Sequence, residues 1–238
     1  MSGHSKWSTI KRKKGAIDAA RGNVFQKISK EIHVACKNGD GDPSTNSSLR
    51  MVIEKAKAAN MPKTNIDSAI AKATNKNNAE SYDEIRYEGY APSGVAIMID
   101  CLTDNKNRTA SFVRSTLSKR GGNLGTDGSV SYMFLRKGII ILDKSYDEDE
   151  LMEYVLELDI LDFISNEDGC EIYTTPDNFI SVKDELSKKY DKFIMSEVTF
   201  VASNLIELSD DATEKVMNLI EALEELDDVQ NVYHNLDV

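Results

Sequence analysis

The sequence predicts an α+β, multidomain chain, with an N-terminal three-helix bundle followed by two α/β sandwich domains, the last inserted in the middle one. Three observations predict it. Apolar residues recur at three- and four-residue steps through the opening segment, strand and helix periods alternate after Tyr82, and charge falls into unequal blocks. Residues 1–76 hold 15 Lys+Arg against 6 Asp+Glu, a net of +9, residues 77–136 hold seven of each, and residues 137–238 hold 7 against 27, a net of −20. The total of −11 over 238 residues therefore hides a basic end. Such asymmetry points to one segment that meets a polyanion and another that does not.

In chain order, Val24, Phe25, Ile28 and Ile32 place one apolar stripe on a first helix. The loop NGDGDPSTNSS (Asn38 to Ser48) ends it, and Leu49, Val52, Ile53 and Ala56 define a second helix that Asn60 and Pro62 stop. Ile66, Ala69, Ile70 and Ala73 define a third, with Pro62 near its first turn. The polar run TNKNNAES (Thr74 to Ser81) is a linker. Ile85, Tyr87, Val95, Ile97 and Ile99 suggest two strands joined at APSG (Ala91 to Gly94), followed by a helix over 105–120, capped by Thr103 to Asn105, and an extended 129–135. A new set begins at Gly138: an apolar run at 139–142, a helix over 148–158, extended 171–174, a helix near 182–190 and extended 197–202. An acidic amphipathic helix over 211–226 and a short strand over 229–234 close the chain. The split β-α-β character suggests ferredoxin-like units. The expected domains are 1–79, a discontinuous 80–136 plus 205–238, and an inserted acidic 137–204.

The strongest chemical signal is GHSKW (Gly3 to Trp7) followed by KRKK (Lys11 to Lys14). Clustered cations neutralise phosphates and release counterions, and an aromatic ring stacks on an unpaired base. The predicted nucleic-acid contacts are Lys6, Trp7, Lys11, Arg12, Lys13, Lys14, Arg21 and Lys27, joined by Arg108 and Lys119, which lie eleven residues apart and so on one side of the middle helix. The alternative is that KRKK is a solvated tail, that Trp7 packs on the bundle and that the middle helix carries ordinary surface charge. The glycines of RGGNLGTDGS (Arg120 to Ser129) invite a phosphate-loop reading, but they follow a helix rather than lead into one, so a left-handed cap and a turn account for them.

No nucleotide-binding glycine motif, serine elbow or metal-ligand spacing occurs, so no active site, metal, cofactor or small-molecule substrate is expected. Cys36, Cys101 and Cys170 are too scattered for a disulfide framework, and Cys36 three residues from His33 reads as a chance helical neighbour. No apolar run approaches the ~20 residues of a membrane span, so a cytoplasmic location without membrane attachment is expected.

The motifs GHSKWSTIKRKKGAIDAARGNVFQKISKEI, AANMPKTNI, YEGYAPSGVAIMIDCLTDNKNRT, GGNLGTDGSVSYMF and LDDVQNVYHN together closely resemble the YebC/PmpR family of bacterial regulators and its mitochondrial translational-activator relatives. The resemblance covers nearly the full length. It implies a three-domain cytoplasmic α+β protein that acts as a DNA-binding transcriptional regulator or, as in other members, with the ribosome as a translation factor. Two departures stand out: ATNKNNAE where relatives often carry a linker glycine, and VASNL where relatives tend to carry a proline. The expected function is a non-enzymatic, nucleic-acid-binding regulator of gene expression. DNA is the first expected partner and ribosomal RNA, with the ribosome, the alternative. A protein-interaction adapter using the acidic C-terminal half is the third reading, with Asp211, Glu214 and Glu221 as its test positions.

Overall fold

A computed structural model of the chain describes residues 21–75, 80–165 and 169–237. Among the described residues, 21–131 with 208–236 form one compact unit and 132–207 with 237 form another. The described residues contain seven α-helices and two four-stranded antiparallel sheets. The fold is therefore mixed α and β, as the alternation of periods after Tyr82 predicts.

In the first unit, α1 (Arg21–Asn38), α2 (Ser47–Ala58) and α3 (Lys63–Thr74) form a small bundle. Its core is Ile28, Ile32, Ala35, Cys36, Leu49, Ala56, Met61, Ile66 and Ala73, which is the apolar stripe of each helix turned inward. Asn46 caps α2 by accepting the Leu49 amide at 3.0 Å, and its own amide nitrogen donates to the carbonyls of Ala35 and Asp40, tying the loop down. Pro62 stands at the N-cap of α3, next to its first turn.

The same unit holds the sheet β3-β1-β2-β8, made of β1 (Asp83–Tyr90), β2 (Ala96–Thr103), β3 (Asn123–Leu124) and β8 (Val229–His234). The returning β8 pairs with the central β2, so the chain's last strand completes the sheet begun at Asp83. The helices α4 (Lys106–Lys119) and α7 (Asp210–Glu224) pack together, burying Val113 and Leu117 on one and Val216, Leu219, Ile220 and Leu223 on the other.

The second unit runs β4 (Phe134–Asp143), α5 (Glu148–Leu156), β5 (Asp162–Ser165), β6 (Gly169–Thr174), α6 (Phe179–Leu186) and β7 (Phe193–Ala202). Its strand order β5-β6-β4-β7 is the βαββαβ arrangement of a ferredoxin-like sandwich. Ile140, Leu142, Ile172, Leu151, Val155, Val182 and Leu186 form the core between sheet and helices. Gly138 lets β4 pass under α6: a Cβ there would lie 2.2 Å from Thr174 Oγ1 and 2.7 Å from the Phe179 ring.

The extended reading of 129–135 and the separate run at 139–142 are corrected by the structure. Residues 131–133 form a short 3-10 turn, and one strand then runs unbroken from Phe134 to Asp143. Arg136 and Lys137, which break the apolar pattern, keep their places because they pair with Phe200 and Thr199 of β7. The Lys137 ammonium also lies 5.5 Å from the centre of the Tyr173 ring.

Candidate nucleic-acid interface

Lys6, Trp7, Lys11, Arg12, Lys13 and Lys14 lie outside the described residues, as does the side chain of Arg21. Residues 21–75 alone hold nine Lys+Arg and five Asp+Glu, a net of +4. The structure divides those cations into two groups, one spent on intrachain contacts and one facing solvent.

The first group lies on α1 and meets the C-terminal end of α7. Lys27 donates to the carbonyl of Glu224, and Asn23 Nδ2 donates to that of Glu225 at 3.1 Å. Lys30 donates to the carbonyl of Asp227 at 2.9 Å and to the Asp228 carboxylate at 2.8 Å. The Glu224 and Glu225 carbonyls are at the unsatisfied negative end of a helix, where a cation is favoured. Asp228 gathers further partners: Arg108 Nη2 at 2.9 Å, Thr109 Oγ1 at 2.8 Å and Thr103 Oγ1 at 3.3 Å. Burial opposes its charge, but the hydrogen bonds from Lys30, Arg108 and Thr109 outweigh it and hold its carboxyl at about 2. His33 Nε2 donates to the Glu80 carbonyl at 2.9 Å and meets the Tyr82 ring edge-on, so the same helix also anchors the start of the sandwich. Of the predicted contacts, Lys27 and Arg108 have intrachain partners. The Lys27 ammonium caps α7, and the Arg108 guanidinium bridges Asp104 and Asp228.

The second group comprises Lys37, Arg50, Lys57 and Lys63, all exposed and without an ion-pair partner among the described residues. Arg50 and Lys57 are seven residues apart on α2 and so share a face. Lys57 and Lys63 stand at an open groove of about 630 Å³ whose other lining residues include Ile53, Met61, Ile66, Ile70 and Asp67. Lys55 pairs with Glu31 and Lys72 with Glu80, which removes both from this set. Lys119 is exposed in the last turn of α4, and Asn105 caps that helix by accepting the Arg108 amide at 3.0 Å.

The glycine-rich loop does surround an anion, one supplied by the chain itself. The buried Glu88 carboxylate accepts the amides of Gly128, Val130 and Ser131 at 2.9, 2.7 and 2.8 Å. Burial works against that charge, yet the three backbone donors win and lower its pKa. Gly121 takes the left-handed conformation just after α4 (φ 77°), as the cap reading predicts.

The thiols of Cys36, Cys101 and Cys170 are free and buried. Burial, reinforced by Asp100 and Asp228, pushes Cys101 up to about 12, and burial also raises Cys36 and Cys170, so none is a thiolate at neutral pH. Among the described residues no group of His, Cys, Asp and Glu converges as a metal site, and no helix is long and apolar enough to cross a membrane. Phe112, 53% exposed on α4, is a residue that the charge-led reading missed.

Two family models match the chain. A model of the TACO1/YebC protein N-terminal domain matches residues 5–76, and a model of the TACO1/YebC second and third domain matches residues 82–236. A "probable transcriptional regulatory protein" of Geobacillus thermodenitrificans is 53% identical over 240 residues, covering 100% of this chain and 97% of its own. A protein of the same description from Borrelia garinii subsp. bavariensis is 53% identical over 239 residues, covering 100% and 98%. The crystal structure of a conserved hypothetical protein from Aquifex aeolicus superposes with a TM-score of 0.82 at 43% identity, covering 92% of this chain and 91% of that one.

Proposed function

The chain belongs to the TACO1/YebC family, and from that premise we propose that it is a non-enzymatic, cytoplasmic regulator of gene expression that binds nucleic acid, acting on DNA as a transcriptional regulator. The observation that carries the reading is the exposed set Lys37, Arg50, Lys57 and Lys63, whose charges are not spent on carboxylates among the described residues. Each such cation that meets a phosphate releases counterions, and this supplies affinity that does not depend on base sequence. Lys6, Trp7, Lys11, Arg12, Lys13, Lys14, Arg21 and Lys119 extend the proposed contact. Lys27 and Arg108 support it from behind, Lys27 by tying α1 to the Glu224 carbonyl at the end of α7 and Arg108 by tying α4 to Asp228. The printed names of the relatives from Geobacillus and Borrelia agree with a regulatory role. The buried, protonated thiols support the non-enzymatic part of the reading.

A second reading, an RNA-contacting translation factor at the ribosome, is favoured by one observation: an exposed aromatic, Phe112, stands on a helix rich in cations, an arrangement suited to bases that are not paired. Ultraviolet crosslinking in cells, followed by sequencing of the bound nucleic acid, tests both. Recovery of defined promoter segments supports the first reading and recovery of ribosomal RNA the second. Recovery of neither overturns nucleic-acid binding and leaves the acidic adapter surface around Asp211, Glu214 and Glu221.

A further inference from the structure

We propose that the outer face of α4 is a second nucleic-acid contact that takes unpaired nucleotides, with Phe112 as the stacking platform. This rests on the nucleic-acid reading above but uses a different surface, one on the sandwich rather than on the bundle.

The argument begins with the helix. α4 turns Thr109, Val113 and Leu117 into the core. The residues opposite, Arg108, Phe112, Ser115 and Lys119, follow at steps of four, three and four and therefore form one stripe. Phe112 is 53% exposed in the middle of it, with the exposed Lys119 about two turns after, while Arg108, one turn before, is held by Asp104 and Asp228. A lone exposed apolar side chain is ordinary. The charge around this one is not. Between Asp104 and Asp127 the chain carries Lys106, Arg108, Arg114, Lys119 and Arg120 and no carboxylate, within a protein whose net charge is −11; of these, Lys106 pairs with Asp83 and Arg108 with Asp104 and Asp228. Arg114, Lys119 and Arg120 are exposed and have no ion-pair partner among the described residues.

A flat apolar ring that shares a helical stripe with an unpaired cation matches a nucleotide whose base is free to stack while a neighbouring phosphate meets positive charge. A duplex can use the ring only by unstacking a base step, because its base faces are already stacked on one another and edges and backbone are what it offers. The aromatic at the centre thus selects single strands over duplexes, whereas the cations alone would not.

The test uses the full chain with a short single-stranded RNA carrying 2-aminopurine, the DNA strand of the same sequence, and the corresponding duplex. Phe112→Ala is expected to weaken single-strand binding about tenfold, within the range of one lost base–aromatic stack, and to abolish the quenching of 2-aminopurine. Duplex affinity stays unchanged, and Phe112→Trp restores both single-strand signals. The relative loss on the RNA and DNA strands identifies which of them the face prefers. Unchanged single-strand affinity and quenching in a folded Phe112→Ala protein would overturn the proposal, as would an equal loss on the duplex. A companion Lys57→Ala/Lys63→Ala protein separates this inference from the one it rests on. Weakening of all three probes by the companion alone leaves the bundle reading intact and sinks the α4 site, whereas weakening by Phe112→Ala alone does the reverse.

Discussion

Replacing Asp228 with asparagine removes one charge and little volume from the point where α1, α4, β2 and the end of α7 meet. Lys30, Arg108, Thr109 and Thr103 all donate to this carboxylate, whose side chain is 8% exposed. Its pKa is lowered from 3.8 to about 2, and at ~1.36 kcal/mol per unit that corresponds to about 2 kcal/mol. Arg108 is 41% exposed, so solvent screens its share and about 1–2 kcal/mol remains. Lys30 keeps the carbonyls of Asp227 and Leu102, so the substitution does not strand an unpartnered cation. The folded pKa lies below the unfolded one, so the contribution is fully present above pH ~4. It is lost as pH falls toward ~2, because in that window the unfolded chain binds the additional proton. Urea unfolding of Asp228→Asn, followed by far-ultraviolet circular dichroism, should therefore show a loss of about 1–2 kcal/mol at pH 7 that shrinks steadily between pH 4 and pH 2. Equal stability at pH 7, or a gap that ignores pH, would refute the reasoning.

Other consequences follow from the same packing. Glu88→Gln leaves the amides of Gly128, Val130 and Ser131 facing a poorer acceptor and should cost about 1–3 kcal/mol, with faster amide exchange across 126–131 as the direct readout. Ile32→Ala, at a fully buried position on α1, should cost about 2–5 kcal/mol in the same urea assay. Gly138→Ala must push a methyl group into Thr174 and Phe179 and should lower stability by about 1–3 kcal/mol, measurable as a lower thermal midpoint.

The bundle was legible because its helices are short and each carries its own apolar stripe: Ile28 and Ile32, Leu49 and Ala56, Ile66 and Ala73 are all buried as their spacing requires. The Asn105 cap was legible for the same local reason. Legibility failed where structure depends on partners far along the chain. β5 is a four-residue edge strand with too little alternation to stand out, and it exists because it pairs with β6. The polar pair Arg136 and Lys137 hides a continuous β4 that only β7 reveals. The contacts of Lys27 and Lys30 with the α7 terminus span almost two hundred residues, so the sequence reading placed Lys27 among the nucleic-acid contacts. Phe112 left a trace that charge counting overlooks, an apolar residue on the polar stripe of a helix otherwise rich in cations. The anion inside the glycine loop left none, since nothing near residues 121–129 announces that Glu88 will occupy it.

The central claim, that solvent-facing cations of the bundle meet phosphates, is tested most directly by the salt dependence of nucleic-acid affinity. The full chain should show a steep fall in affinity with salt. The protein carrying alanine at Lys37, Arg50, Lys57 and Lys63 should bind more weakly, its log–log slope shallower by about one for each cation that contacted a phosphate. A quadruple variant that binds with the same affinity and the same slope would contradict the account.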